Sequence, residues 1–289
     1  MTATFTAACI QNEGVADMAA SIAAATELVR AARGDGAELI CLPEYFACYK
    51  AAETEVVVGP HAEQAHPGLA HFQALAEELG AWLLLGSMAI TAGPGKIFNR
   101  SYLVTPGGAI AARYDKVHLF DVDLADGESY RESALIEPGA QAVLAATPWA
   151  TLGLTVCYDL RFPQLYRSLA QAGAEVLTVP AAFTKTSGQA HWHVLLRARA
   201  IETGCFVLAP CQCGDHGGGR ETYGHSLIVD PWGRVLADGG EEAGYITAKI
   251  DLAEVAKARA MIPALDHDRD FAGPETDKRE SEARAAQRA

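Results

Sequence analysis

Three side chains in the sequence stand where an apolar run ends, and their types suit covalent catalysis. Glu44 closes the run LICLPE, Lys116 lies in YDKVHLF after a predicted hairpin, and Cys157 ends LGLTVC just before a predicted helix. A thiol at a strand-to-helix turn lies near backbone N–H groups and a helix N-terminus, which lower its pKa and can stabilise an oxyanion. A carboxylate can accept the thiol proton, and an ammonium group can stabilise developing negative charge. The residue types therefore permit attack by a cysteine nucleophile, although their spacing alone does not prove it.

Each of the three residues also has a structural interpretation. Cysteine often serves as a small buried apolar side chain. A glutamate after a proline at a strand end is typical of a helix cap or a surface position, and Lys116 could pair in solvent with Asp115 or Asp121. The context of the three segments favours catalysis more than any single residue does.

The elements that must position these residues alternate between short apolar runs and stretches with helical periodicity. The run WLLLGSMAI at 82–90 is almost wholly apolar, as expected for a strand buried on both faces. The predicted strands are 3–10, 38–44, 82–90, 151–159, 174–183 and 205–213, the predicted hairpins are 99–114 and 225–238, and the predicted helices are 18–32, 67–79, one after 160, and 190–204.

The two halves of the chain share local sequence. GAELICLP at 36–43 matches GAEVLTVP at 173–180, and the turn at 106–108 matches the turn at 231–233. Such a repeat predicts two similar sheets, each covered by helices and packed face to face. No linker separates the halves, so we expect one domain over residues 1–262. Residues 263–289 are charge-rich and are expected to form a solvated tail, or one docked on a partner subunit.

The segments LPEYF, YDKVHLFDVD and GLTVCYDLRFPQLYR resemble the three signature segments of the nitrilase superfamily, the carbon–nitrogen hydrolases. The resemblance covers about residues 3–260 and implies an α/β fold, a four-layer α-β-β-α sandwich. It also implies a cofactor-free amidase in which Cys157 attacks an amide and forms a thioester, with Glu44 as general base. Lys116 and the backbone N–H of Tyr158 would stabilise the oxyanion. A second glutamate is implied at Glu132.

Two other glutamates lie near the position of that second acid. Glu128 is close to Glu132 in the sequence, and Glu137 also precedes a Pro-Gly pair. The assignment of Glu132 therefore depends on the resemblance alone.

The later segments are most similar to the Nit branch of the superfamily, which contains deaminated glutathione amidase and ω-amidase. The residues at 212–214 (QCG) and 220–226 (RETYGHS) favour the first of these. The implied reaction cleaves the amide between a 2-oxoglutarate-like acyl group and Cys-Gly. Alternatives are 2-oxoglutaramate or an N-carbamoyl amino acid as substrate and, outside enzymes, a binding platform that keeps the same fold.

The implied substrates are anionic, so the site needs a cation. Arg161 is the first candidate and Arg197 the second, although Arg161 could instead form a structural pair with Asp159. Substrate-binding positions are also expected at Tyr158, Phe183 and Thr184, since the segment 184–189 would line the acyl pocket.

One departure from the branch pattern is His193, which stands where the branch usually has glutamate. This change could alter the hydrogen-bond network beside the pocket or its pH dependence. The chemistry should survive, whereas the substrate preference is open.

The composition argues against several other classes of protein. The net charge of −13 disfavours nucleic-acid and membrane-surface partners, and the apolar runs are too short to cross a bilayer. No export signal is apparent, and an odd number of cysteines, seven, fits a reducing compartment, so a cytoplasmic location is expected. The remaining partners are a small-molecule amide and, by resemblance, a second copy in a homodimer or a larger homo-oligomer.

Neither a metal nor a cofactor is expected from the motifs. Cys205, Cys211, Cys213 and His216 lack the paired spacing of a zinc site. The glycines at 217–219 do not follow the strand–loop–helix pattern of a nucleotide-binding fingerprint.

Overall fold

The computed structural model describes residues 4–51, 56–123 and 129–274. Both helices and strands form over this part of the chain, as the hydrophobic periodicity predicts. From the N-terminus to residue 131 the elements are β1 (Thr4–Gln11), α1 (Met18–Gly34), β2 (Leu39–Cys41), β3 (Lys50–Ala51), β4 (Val56–Val57), α2 (Pro67–Leu79), β5 (Trp82–Gly93), β6 (Lys96–Val104), β7 (Ile110–Asp115), β8 (Asp121–Asp123) and β9 (Ser129–Arg131). They continue with β10 (Val143–Ala146), β11 (Thr151–Leu154), α3 (Pro163–Gln171), β12 (Val176–Thr178), α4 (Lys185–Thr203), β13 (Phe206–Ala209), β14 (Cys213–Asp215), β15 (Glu221–Tyr223), β16 (Leu227–Val229), β17 (Val235–Asp238), β18 (Gly244–Asp251) and α5 (Ala253–Met261).

The helix boundaries follow from local chemistry. The carboxylate of Asp17 accepts hydrogen bonds from the backbone N–H groups of Ala19 and Ala20, which caps the start of α1. Proline at the first position of α2 has no N–H to leave unpaired. Gly80, with φ of 58°, ends α2 in the left-handed conformation that glycine adopts without strain. The observed bounds of α2 are those predicted from the sequence.

The described strands form two six-stranded sheets with the same order of parallel and antiparallel pairs, in addition to three two-stranded ribbons. The first sheet has the order β18-β1-β2-β5-β6-β7, and the second has the order β10-β11-β12-β13-β16-β17. In each sheet the three strands β1-β2-β5 or β11-β12-β13 pair in parallel, and the strands flanking them pair antiparallel. The internal repeat predicted from the sequence is therefore confirmed at the level of strand order.

The two sheets pack face to face with helices outside them, which confirms the predicted four-layer α-β-β-α sandwich. Residues from both sheets share one apolar cluster, including Cys9 and Leu84 from the first and Leu154 and Leu208 from the second. The other face of the first sheet packs on α1 and α2, where Val29 and Phe72 are fully buried. Burial of these apolar surfaces is the main force that holds the four layers together.

The strands end earlier than the sequence predicts at the two positions that matter most. The predicted strand 38–44 is observed as β2, which ends at Cys41, and the predicted strand 151–159 is observed as β11, which ends at Leu154. Residues 42–44 and 155–157 lie beyond the observed strands but are buried, and Leu42 and Thr155 still donate backbone hydrogen bonds to Leu84 and Thr178 of the neighbouring strands. The chain then leaves the regular ladder, and Glu44 and Cys157 line a cavity at this edge of the sheets.

The C-terminal region was predicted as a tail over 263–289, of which 275–289 lie outside the described residues. Within the described portion, residues 266–274 are exposed, and Asp268 pairs with Arg167 on α3. Strand β18 and helix α5, which precede this region, were missed by the sequence patterns. Within the described ranges, no helix is both long enough and apolar enough to cross a membrane.

Candidate active site

Three strand ends and one short turn bring the candidate catalytic residues together. Glu44 lies three residues beyond β2, Lys116 directly follows β7, and Cys157 opens a short helical turn after β11. Glu132 begins another short turn between β9 and β10. The carboxyl ends of parallel strands meet at one edge of a sheet, so ligand sites commonly form there.

Cys157 has an unfavourable backbone conformation that is held by its neighbours. Its φ of 48° lies in the left-handed region, which costs a non-glycine residue free energy. Its backbone N–H donates to the carbonyl of Pro180 at 2.9 Å. The buried carboxylate of Asp159 accepts from the N–H of Val156 at 2.9 Å and from the hydroxyl of Tyr114 at 2.7 Å. Asp159 thus fixes the turn that presents the thiol.

Glu44 is held by hydrogen bonds to both carboxylate oxygens. Oε1 accepts from Asn99 Nδ2 at 2.8 Å and from Lys116 Nζ at 3.0 Å. Oε2 accepts from the backbone N–H of Ala182, in the second half of the chain, at 2.9 Å. The side chain is almost fully buried. These contacts contradict the surface or helix-cap interpretation of Glu44.

Lys116 lies between two carboxylates. Its Nζ donates to Glu44 at 3.0 Å and to Glu132 at 2.9 Å, and only 1% of the residue is exposed. The second oxygen of Glu132 accepts from the backbone N–H of Phe120 at 2.7 Å. Solvent pairing of Lys116 with Asp115 or Asp121 is therefore not what the structure contains, and Asp115 pairs with Arg100 instead.

The electrostatics of this cluster keep the ammonium charged. Burial alone would lower the pKa of Lys116, but Glu132 and Glu44 outweigh it and raise the pKa well above the ordinary lysine value. Burial raises the pKa of Glu132, against the lowering influence of Lys116, and the charge of Glu44 raises it further. One cation therefore compensates two closely spaced carboxylates.

The environment of the Cys157 thiol differs from the sequence expectation. Burial, followed by the nearby Glu44 carboxylate, raises the pKa of Cys157 well above the ordinary value, and the lowering influence of Lys116 does not offset this. The expected lowering by the turn and the helix N-terminus was wrong, since burial and two carboxylates dominate. A raised pKa favours the neutral thiol over the thiolate.

These residues line a cavity of about 540 Å³. Glu44, Lys116, Glu132 and Cys157 all contribute to its wall, so the structure brings the four predicted catalytic positions to one place. Three of the predicted substrate-binding residues also line it, namely Tyr158, Phe183 and Thr184. Further lining residues include Tyr45, Tyr49, Phe120, Tyr130, Arg131, Ser187 and Arg220.

The other two predicted substrate-binding residues are not among those that line the cavity. The Arg161 guanidinium lies 5.5 Å from the Phe183 ring centroid and contacts His191. Arg197 donates to the carbonyl of Gly233 at 2.8 Å. The alternative pairing of Arg161 with Asp159 is not found, because the carboxylate of Asp159 accepts from backbone N–H groups and from the side chains of Tyr114 and His118.

A group that could hold a metal ion was found elsewhere in the described part of the chain. His193, His225 and Asp238 place one ligand atom each within 4.8 Å of one another. In the structure Asp238 accepts from His193 Nε2 at 3.0 Å and from His225 Nδ1 at 2.8 Å, so hydrogen bonds satisfy these atoms. His193, where the branch usually has glutamate, therefore contacts Asp238 rather than the cavity.

The sequence did not predict a site role for several of these residues, and two polar ones matter most. Asn99 orients Glu44 from strand β6, and no sequence pattern marked it. Arg220 lines the cavity and lies within the segment that suggested the branch. A charged residue directly after three glycines was the sequence signal that could have marked it.

Comparison with known proteins agrees with this geometry. The family model described as carbon-nitrogen hydrolase matches residues 6–260. A deaminated glutathione amidase of Synechocystis sp. (strain PCC 6803 / GT-S) is 42% identical over 267 residues, covering 91% of this chain and 97% of that protein. A deaminated glutathione amidase of Homo sapiens is 43% identical over 250 residues, covering 84% of this chain and 76% of that protein.

Solved structures show the same similarity. The C. elegans NitFhit protein has a TM-score of 0.83 and 32% identity, covering 95% of this chain and 69% of that one. Saccharomyces cerevisiae Nit3, a member of branch 10 of the nitrilase superfamily, has a TM-score of 0.79 and 26% identity, covering 90% of this chain and 94% of that one.

Proposed function

The chain belongs to the carbon–nitrogen hydrolase family, and on that premise we propose that it hydrolyses deaminated glutathione to 2-oxoglutarate and Cys-Gly. The observation that carries the proposal is the cluster of Glu44, Lys116 and Glu132 beside Cys157 in one cavity. Relatives named deaminated glutathione amidase, at 42% and 43% identity, support the choice of substrate.

The first half of the proposed reaction forms a thioester. The Cys157 sulfur attacks the amide carbon while Glu44 accepts the thiol proton, which fits a thiol whose pKa is raised and which is neutral at rest. The carbonyl oxygen becomes an oxyanion that Lys116 and the backbone N–H of Tyr158 stabilise. Glu44 then donates its proton to the amide nitrogen, the carbon–nitrogen bond breaks, and Cys-Gly leaves as an amine.

The second half hydrolyses the thioester. Glu44 accepts a proton from a water molecule as its oxygen attacks the thioester carbon. The carbon–sulfur bond then breaks, 2-oxoglutarate leaves, and the sulfur regains its proton from Glu44.

The experiment that tests this proposal measures 2-oxoglutarate release from deaminated glutathione and, separately, from 2-oxoglutaramate. We expect wild type to prefer deaminated glutathione and Cys157→Ala to lose activity. Trapping of a wild-type acyl-enzyme by mass spectrometry gives a second readout of the thioester.

Other outcomes would each change the proposal in a defined way. Preference for 2-oxoglutaramate would make the protein an ω-amidase. Activity only on N-carbamoyl amino acids would replace the substrate class. Full activity in Cys157→Ala would remove Cys157 as the nucleophile, and no hydrolysis by folded wild type would leave the binding-platform alternative.

We also propose that the chain acts as a homo-oligomer, at least a dimer, in the cytoplasm. Exposed apolar side chains on α4 support self-association, with Val194 66% and Ile201 54% exposed. No disulfide joins any of the seven cysteines, all of which lie in the described part of the chain, and this fits a reducing compartment. Light scattering of the full chain measures the assembly directly.

A further inference from the structure

Three cationic side chains line the cavity, and two of them are neutralised. Lys116 pairs with Glu44 and Glu132. Arg131 pairs with Asp123 at 2.8 Å. Among the residues that the structure describes, no carboxylate lies within pairing distance of the third cation, Arg220. Among the described residues, the cavity wall therefore carries one guanidinium without a carboxylate partner.

The hairpin of β14 and β15 determines the position of Arg220. Arg220 lies at the tip that joins β14 to β15, where its carbonyl accepts from the N–H of His216 at 2.9 Å and its N–H donates to Gly217 at 3.1 Å. The three glycines at 217–219 have φ values of 83°, 60° and 77°, a conformation that other residues rarely adopt. This turn directs Arg220 toward the cavity.

The base of the hairpin is fixed to the first half of the molecule. The ring of His216 is buried and contacts the carbonyl of Gly14 through Nδ1 at 3.0 Å. Its Nε2 contacts Thr222 Oγ1 at 2.7 Å, and the ring packs edge-on against Tyr49 at 4.6 Å. The hairpin therefore holds Arg220 with little freedom, which favours binding because less entropy is lost.

The guanidinium of Arg220 is partly desolvated without being satisfied. It lies 4.4 Å above the Tyr130 ring centroid. Its Nη1 atom is buried and has no hydrogen-bond partner in the described structure. A buried donor without a partner is costly, and the cost is greater for a charged group. An anionic ligand in the cavity would supply the missing acceptor.

We propose that Arg220 binds a carboxylate of the substrate. The planar guanidinium presents parallel N–H donors that match the two oxygens of a carboxylate, and stacking on Tyr130 leaves that edge available. This inference depends on the proposed function for the identity of the substrate. It replaces Arg161 and Arg197, which were expected from the sequence, as the residue that recognises the anion.

Deaminated glutathione offers two carboxylates that could bind here. One belongs to the 2-oxo acid acyl group, which 2-oxoglutaramate shares, and the other ends the Cys-Gly leaving group, which 2-oxoglutaramate lacks. A comparison of the two substrates distinguishes these sources, because only the acyl carboxylate is common to both.

The test uses Arg220→Met, Arg220→Lys and a control, Arg234→Met, in the full-length chain. Arg234 is largely exposed and pairs with Asp230, so its replacement removes one arginine without changing the cavity. We expect Arg220→Met to raise KM for the recognised substrate by roughly 10- to 100-fold, with a smaller effect on kcat. Arg220→Lys should recover part of the loss because it keeps the charge but not the paired donors.

The two substrates then assign the carboxylate. If Arg220→Met raises KM for both substrates, Arg220 binds the acyl carboxylate. If it raises KM for deaminated glutathione alone, Arg220 binds the carboxylate of the leaving group. Circular dichroism and the Tm of Arg220→Met should match those of Arg234→Met, which shows that folding is intact. If the KM values of Arg220→Met stay within twofold of those of Arg234→Met for both substrates, the inference is wrong.

A binding measurement separates this inference from the proposed function. If wild type hydrolyses neither substrate, the proposed function fails, and the Kd values of 2-oxoglutarate and Cys-Gly measured by calorimetry still decide the role of Arg220. Weaker binding of either carboxylate ligand to Arg220→Met than to Arg234→Met supports it. Equal binding, or no binding of either ligand to wild type, overturns it.

Discussion

The two sheets of the molecule share one pattern of strand pairing, but the two halves of the chain contribute different chemistry. At the end of β2 the chain reads Pro43-Glu44, and at the end of the equivalent strand β12 it reads Pro180-Ala181. Glu44 and Ala181 are both buried. A second buried carboxylate at 181 would need its own compensating cation, which no equivalent of Lys116 supplies. The repeat therefore accounts for the arrangement of the strands, whereas each reactive group occurs in only one of the two halves.

Other positions of the repeat have kept the same role. Glu38 accepts a hydrogen bond from the backbone N–H of Thr6 at 3.0 Å, and Glu175 accepts one from Thr151 at 3.2 Å. Both glutamates are half-buried and stand just before the matching strands β2 and β12. Such pairs stabilise the ends of the parallel strands in both sheets, which explains why they match when the site residues do not.

The site therefore exists only where the halves meet. The first half and the segment that follows it provide Glu44, Lys116 and Glu132, whereas the second provides the thiol of Cys157 and the backbone N–H of Ala182. Left-handed backbone follows in both halves, with φ of 54° at Tyr45 and 48° at Cys157. Both residues follow a strand end, and both line the cavity.

The largest effect that tests this division of roles is expected for Glu44→Gln. Glutamine keeps the size and most hydrogen bonds of Glu44 but cannot accept the thiol proton, so kcat should fall by roughly 10²- to 10⁴-fold. Steady-state 2-oxoglutarate release checks this, with Glu38→Gln as a control at a glutamate outside the cavity. A kcat within tenfold of wild type would mean that the base is not Glu44.

The second prediction concerns how the charges of the first half act on the thiol of the second. Burial, Glu44 and Glu132 raise the pKa of Cys157, so the thiolate fraction should grow about tenfold per pH unit and continue to grow beyond pH 9, about where an ordinary thiol levels off. Of the seven cysteines, all described, only Cys157 lines the cavity, so iodoacetamide should label it first. Mass spectrometry of the labelled peptide gives the rate at each pH.

A variant of the first half provides the control for this profile. Glu44→Gln removes one of the negative charges, so the pH at which alkylation levels off should move down. Circular dichroism at each pH confirms that the protein stays folded. A plateau below pH 8 in wild type would contradict the raised pKa and restore the activated thiol expected from the turn alone.

The smallest effect is expected where the halves are alike. Glu38→Gln and Glu175→Gln each replace the charged acceptor of one backbone N–H at a half-buried site. Each should therefore lower the free energy of unfolding by about 0.5–1 kcal/mol. The two losses should agree within about 0.5 kcal/mol, and kcat should not change. Urea denaturation measures them. Losses that differ by more than about 1 kcal/mol would show that the repeat is not energetically equivalent at these positions.

Much of this fold could be predicted from the sequence because local patterns repeat. The match of 36–43 with 173–180 predicted paired sheets, and apolar periodicity predicted α2 with its observed bounds. Strand β18 and helix α5 could not be predicted in the same way. Strand β18 alternates weakly and is defined by its pairing with the distant β1, and α5 has only Val255 and Ala258 buried.

The types and the order of the reactive residues could be predicted from the sequence, since Glu44, Lys116 and Cys157 each lie in a distinctive segment where a predicted strand ends. Their electrostatics follow from the tertiary structure. Burial of the Cys157 thiol, followed by the carboxylates of Glu44 and Glu132, raises the pKa that the local turn alone was expected to lower. Charge interactions and burial depend on distances between segments far apart in the chain, and no local pattern contains them. The same reason applies to Arg220, whose lack of an acidic partner among the described residues is visible only once the hairpin is placed against the cavity.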